Sequence, residues 1–199
     1  MFPQLIESLP APSFQPTTLL AWTSPSANQN SYDALLSQLD LYPPICELLA
    51  IQPPAWLQGR SFLPVLRGEA QEINDAIFAV VNYHVSYEPK RAVRTNRWKY
   101  IRHFGDYMHP VLPTCHDGST RTCWVDHGCV AQNVAPKQLY ALIFDPNERH
   151  NLAAKPVHQD VLHTMQARWK DWMVTTNEPS LHRPVKAPPG AQTLPPKNI

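Results

Sequence analysis

The chain reads as an α+β protein, a small antiparallel sheet packed by a C-terminal helix. Two observations predict it. Residues 76–81, 91–95, 98–103 and 139–144 are short runs rich in β-branched and aromatic side chains, each of strand length. After Pro156, residues Val157, Val161, Met165, Trp169 and Trp172 recur every three or four positions, the spacing of an apolar stripe on a helix of about five turns.

Taken in order, residues 1–30 carry Pro3, Pro10, Pro12, Pro16 and Pro25 and read as a loose segment. Residues 32–37 read as a short strand and 39–51 as a helix. Pro43 and Pro44 are tolerated only in its first turn, where a missing amide costs nothing. Ile45, Leu48 and Leu49 supply its apolar face, and Pro53-Pro54 end it. Residues 59–68 read as a connecting loop with a short apolar anchor. The 76–81 run is a buried-strand candidate. A polar corner follows, then a hairpin closed near Asn96-Arg97, a pair without the glycine that tight primed turns prefer. Trp98, Tyr100 and Arg102 alternate with Lys99, Ile101 and His103, so one aromatic face should meet a core. The last strand runs into an Asp145-Pro-Asn turn. Six prolines in the last 21 residues make 177–199 an extended tail.

Composition excludes several classes. A net charge of +1 over 199 residues argues against a general nucleic-acid binder. No window approaches the ~20 apolar residues that span a bilayer. The opening Met1-Phe-Pro-Gln-Leu-Ile-Glu-Ser lacks a basic start and an apolar core, so no secretion signal is read. The compartment is left open.

Certain segments carry a family likeness through their order and spacing. Asn82-Tyr-His84, Arg91-Ala-Val-Arg-Thr95, Trp98-Lys-Tyr-Ile101 and Leu139-Tyr-Ala-Leu-Ile-Phe-Asp-Pro-Asn-Glu-Arg-His-Asn-Leu152 follow one another along the chain. Together they resemble the C-terminal subdomain of the sulfatases of the sugar-sulfatase and sulfamidase kind, within the alkaline-phosphatase-like superfamily. Asp33-Ala-Leu-Leu-Ser37 with Leu39-Asp-Leu-Tyr-Pro43 resembles the last strand and helix of that family's large α/β domain, and Pro54 to Gly68 its crossing segment. The resemblance implies a remnant of the large domain over 31–70 and the C-terminal subdomain over 75–176. It implies sulfuric ester or sulfamate hydrolysis for the full-length family, with a divalent metal, usually calcium, and a formylglycine nucleophile. The missing large domain is then a partner for this chain.

The family's nucleophile arises from a Cys/Ser-x-Pro-x-Arg motif, and carboxylates hold its metal; a hydrated aldehyde and a cation at the sulfate oxygens are what the chemistry needs. Thr23-Ser-Pro-Ser-Ala27 has Thr23 and Ala27 where the modifiable residue and the arginine belong. Val125-Asp-His-Gly128 resembles a metal turn but follows the Leu-Asp-Leu-Tyr-Pro segment that it should precede, so a glycine turn is the plain reading. No catalytic residue, metal ligand or cofactor site is therefore assigned here, and the chain is expected to be inactive alone. The alternative is a non-catalytic module that binds an anionic saccharide or a protein partner.

Binding candidates cluster at 84–102. His84 and the corner Tyr87-Glu-Pro89 correspond to a region near the mouth of the sugar pocket in related sulfamidase-like enzymes. An imidazole there hydrogen-bonds a sugar hydroxyl or carboxylate, or else simply ends a strand. Six cations fall between Lys90 and Arg102. Arg91 and Arg94 match the oxygens of sulfate or carboxylate on a saccharide, or the stripe is a solvated face. Cys46 reads as a buried small hydrophobe. Cys115, Cys123 and Cys129, with His127, lack zinc-knuckle spacing; zinc, a Cys123–Cys129 disulfide and a loop of free thiols remain open.

Overall fold

In the computed structural model, residues 32–196 are described, and they form parts of two units, one ending at Ile77 and one beginning at Phe78. The Thr23 motif lies outside the described residues.

In the first unit a 3-10 turn, Gln38–Leu41, leads into α1, Tyr42–Leu48. Asp40 organises it. Its buried carboxylate accepts from Ser37 N (2.8 Å), Arg60 N (2.8 Å) and Asn74 Nδ2 (2.7 Å). Ser37 returns the capping box. Pro43 and Pro44 occupy the first turn of α1 as expected. The helix is shorter than the expected 39–51, because Ala50 turns into the left-handed region (φ 53°) before the prolines. No strand forms at 32–37, where the backbone has no ladder partner among the described residues. The anchor inside 59–68 is helical: α2, Leu63–Leu66, buries Leu63 and Val65. Gly59 is required, since a Cβ there would sit 1.9 Å from Leu39 O. Cys46 is buried, as its apolar setting predicts.

The second unit holds a four-stranded antiparallel sheet in the order β1-β2-β3-β4. The strands are β1 Ile77–Tyr83, β2 Tyr87–Arg94, β3 Trp98–His103 and β4 Lys137–Ala141. The α+β expectation holds. β2 starts four residues earlier than expected. Pro89 still accepts from Phe104 N (2.9 Å), so the ladder gives up only the donor that proline lacks. The hairpin closes without glycine because Thr95 Oγ1 accepts from Trp98 N (3.0 Å) and Arg97 N (3.3 Å), a hydroxyl turn in place of a strained one. Register pairs Arg91 with Arg102, Val93 with Tyr100, and Tyr100 with Leu139.

The C-terminal helix α4, Gln159–Thr175, covers the sheet. Trp172 stacks on Phe78 (4.8 Å between ring centres) and Trp169 meets Tyr100 edge-on (6.1 Å). Leu162, Met165 and Met173 complete its buried face. Val157 lies before the helix, in a 3-10 turn, and is exposed rather than part of the stripe. β4 ends at Ala141, short of the expected Phe144, because Phe144 N and Asp145 N both turn back onto Ala141 O. No described helix is long and apolar enough to cross a membrane.

The Asp145-to-Asn151 motif is a clasp. Asp145 accepts from Arg149 N (3.0 Å) and His150 N (2.8 Å), bonds that outweigh its partial burial and hold its carboxyl below the usual range. Glu148, at φ 53°, reaches Lys99 on β3 with both oxygens (2.8 and 3.0 Å), and both residues are buried. Asn151 Oδ1 accepts from Leu139 N, and its amide donates to Lys137 O.

Candidate functional site

The bend between β1 and β2 forms the corner expected near a saccharide. His84 stands exposed on it, with Tyr83 on one side and Val85 on the other. Tyr83 and Tyr87 pack with ring centres 4.9 Å apart. Burial raises the Tyr87 hydroxyl's pKa, and Tyr83 adds to the effect, so Tyr87 stays a neutral donor. Ser86 is fully buried beneath the bend, and its Oγ has no partner. The corner carries an imidazole and the Tyr87 phenol three residues apart, groups able to hydrogen-bond hydroxyls and carboxylates, while the Tyr83 hydroxyl is engaged by Val185 O (3.2 Å).

The four candidate residues do not form one site. His84 and Tyr87 are together. Arg91 is 0% exposed, and its guanidinium is already engaged by Glu178 Oε1 (2.6 Å), Asn82 Oδ1 (2.7 Å) and Val81 O (2.8 Å). It braces the sheet instead of facing a ligand. Arg94 lies at the far end of β2 from Tyr87, roughly 23 Å away at the strand rise of ~3.3 Å per residue. Its Nε is enclosed without a hydrogen bond, and among the described residues no ion pair engages it. The cationic stripe is thus not a solvated face: Arg91 and Lys99 are its most buried members. The register with Arg102 puts Arg91 on the face opposite Lys99, and the packing of Glu178 and Glu148 covers both cations.

The cysteine segment also departs from a loop. It contains α3, Ser119–Asp126, closed by His127 and by Gly128 in the left-handed region (φ 78°). Val125 to Gly128 is therefore a helix end with a glycine turn, as its position suggests. All four cysteines are free. Burial, with Cys115 nearby, pushes the Cys129 thiol up. His127 Nδ1 lies 2.7 Å from Cys123 O and 3.6 Å from Cys123 Sγ. Among the described residues no three His, Cys, Asp or Glu side chains are placed to hold a metal ion.

Comparison with known proteins places this architecture. The solved structure of a 2-O GAG sulfatase superposes with a TM-score of 0.58 at 27% identity, over 81% of this chain and 30% of that one. The four-stranded sheet and its helices define the C-terminal domain of a sulfatase. Residues 9–112 match the family described as N-sulphoglucosamine sulphohydrolase, C-terminal, and the chain belongs to that family. An ulvan-active sulfatase of Formosa agariphila is 29% identical over 144 residues, covering 70% of this chain and 29% of its own length. A Delta 4,5-hexuronate-2-O-sulfatase of Bacteroides thetaiotaomicron is 30% identical over 152 residues, covering 73% of this chain and 26% of its own length. The chain thus spans under a third of each curated relative it matches.

Proposed function

We propose that this chain serves as the C-terminal part of a sulfatase acting on anionic saccharide, that it does not turn over sulfate by itself, and that His84 and Tyr87 contact the sugar. One observation carries the proposal: the similarity to sulfatases covers only 26–29% of the curated relatives, while the 199 residues hold no Cys/Ser-x-Pro-x-Arg motif. The formylglycine and the divalent metal then belong to the large α/β domain, the partner that this part requires. The names of the relatives, one ulvan-active and one acting on a hexuronate, support a sulfated, uronate-containing ligand.

The test is turnover of aryl and sugar sulfates by purified 1–199, with and without calcium. None is expected. Metal-dependent turnover that survives repurification and vanishes on substituting Thr23 or Asp126 would overturn the proposal. The second reading, a non-catalytic saccharide-binding module, is favoured by the exposed His84 corner, which needs no catalytic partner to bind. Binding of a sulfated oligosaccharide that does not change when a sulfatase α/β domain is supplied would select it.

A further inference from the structure

Residues after α4 return to the corner. Glu178 starts the return, buried against Arg91, with its other oxygen held by Ser180 N (2.9 Å) and by the Ser180 hydroxyl. Val185 O then accepts from Tyr83 OH (3.2 Å), and Leu194 N donates to Val85 O (3.0 Å). Tyr83 and Val85 are the two neighbours of His84. The tail is thus a strap tied down at the residues before and after His84, by bonds between residues about a hundred positions apart.

The strap is cationic where it crosses. Arg183 and Lys186 stand two and one residues from Val185, so their Cα atoms lie within about 8 Å of its Cα. Both are exposed, and among the described residues neither is in an ion pair. Glu178, the acid on the strap, is consumed by Arg91; Asp106 is the acid that acts on Tyr87.

We infer that the strap supplies the cations of the His84 corner, with Arg183 and Lys186 receiving the sulfate or carboxylate of an anionic saccharide whose hydroxyls meet His84 and Tyr87. This rests on the saccharide reading above. It answers a deficit that the fold creates, since Arg91 is consumed inside the sheet and Arg94 lies roughly 23 Å along β2. A guanidinium fork and an ammonium on an exposed strap can meet an oxyanion without the desolvation that burial imposes on Arg91.

The probe is a heparin-derived hexasaccharide, titrated calorimetrically into the full chain at low and high salt. Arg183→Ala with Lys186→Ala should weaken binding by roughly five- to tenfold at low salt and flatten its salt dependence. Tyr83→Phe, which releases Val185 O while leaving both cations in place, should weaken it in the same direction. Arg94→Ala should change it less than about twofold, as expected for a cation beyond the Debye length of the corner. Binding by the unsubstituted chain that survives the double substitution, or that Arg94→Ala damages more, overturns the role of the strap alone. No heat from the unsubstituted chain at low salt overturns the saccharide reading and this inference with it.

Discussion

Residues 32–77 and 78–196 each bury apolar side chains, but the first region leaves more of its large ones exposed for its length. Among the described residues, eight of the fifteen exposed large hydrophobics lie in the shorter, first region, including Trp56 (73%) and Leu49 (63%). Ile45, Leu48 and Leu49, the face of α1 that helical spacing assigns to a core, point to solvent. In the second region Tyr100, Leu139 and Met173 are at most 1% exposed, and even cations are enclosed. An amphipathic stripe specifies that a cover is needed, not where the cover comes from. β2, β3, β4 and α4 cover one another, whereas α1 buries Pro44 and Cys46 but leaves its Ile45 and Leu48 side uncovered among the described residues.

Breaking a buried pair should have the largest effect, and only in the second region. Lys99→Met leaves the Glu148 carboxylate buried and unpaired, at a cost of about 3–5 kcal/mol. Lys99→Met with Glu148→Leu should recover most of that, because two apolar groups need no partner. Urea denaturation of the three chains measures it. A single substitution costing under about 1 kcal/mol would show that the clasp opens to water.

Acid should separate the regions next. Burial, with Lys90 and Arg102 adding to it and a Gln138 hydrogen bond opposing, lowers the His103 pKa from 6.5 to about 4. The unfolded chain therefore binds a proton that the native state refuses. Stability falls as pH drops from 6.5 to 4, by about 3 kcal/mol at ~1.4 kcal/mol per pKa unit. Glu178 adds to this lower down. Burial raises its carboxyl, but Arg91 and Ser180 hold it below its ordinary value, so its contribution is present above that value and is lost as pH falls beneath it. His103→Gln should remove the loss between pH 6.5 and 4 and leave the lower one. Hydrogen exchange resolved by region should place both losses in 78–196; an equal loss in 32–77 would dissolve the distinction.

The smallest effect on stability should come from the exposed face. Leu49→Lys with Ile45→Lys removes only the contacts of half-exposed side chains, so unfolding free energy should move by less than about 1 kcal/mol. Self-association measured by light scattering should fall, because an exposed apolar patch is what drives it. A cost above about 2 kcal/mol would mean that this face is buried after all.

Local rules carried much of the architecture. Two-residue alternation located β3, and 3–4 spacing located α4 from Met165 to Trp172. The polar corner was legible too: His84 lies exposed in the bend between β1 and β2, and Tyr87 opens β2. What alternation cannot register is burial of a charge. Arg91 looks like an exposed cation until Glu178, 87 residues later, arrives to neutralise it. The motif from Asp145 to Asn151 is visible as a pattern, yet its work in tying a turn to β3 and β4 depends on Lys99, far away in the chain.

Periodicities, family likeness and turn chemistry can be read from the residues in order, because they depend on neighbours within a few positions. Folding sets which cations are consumed as counterions, which apolar face lacks a cover, and that a proline-rich tail returns to bracket His84. Those outcomes depend on which distant groups meet, and a buried charge is tolerated only where its partner has been brought to it.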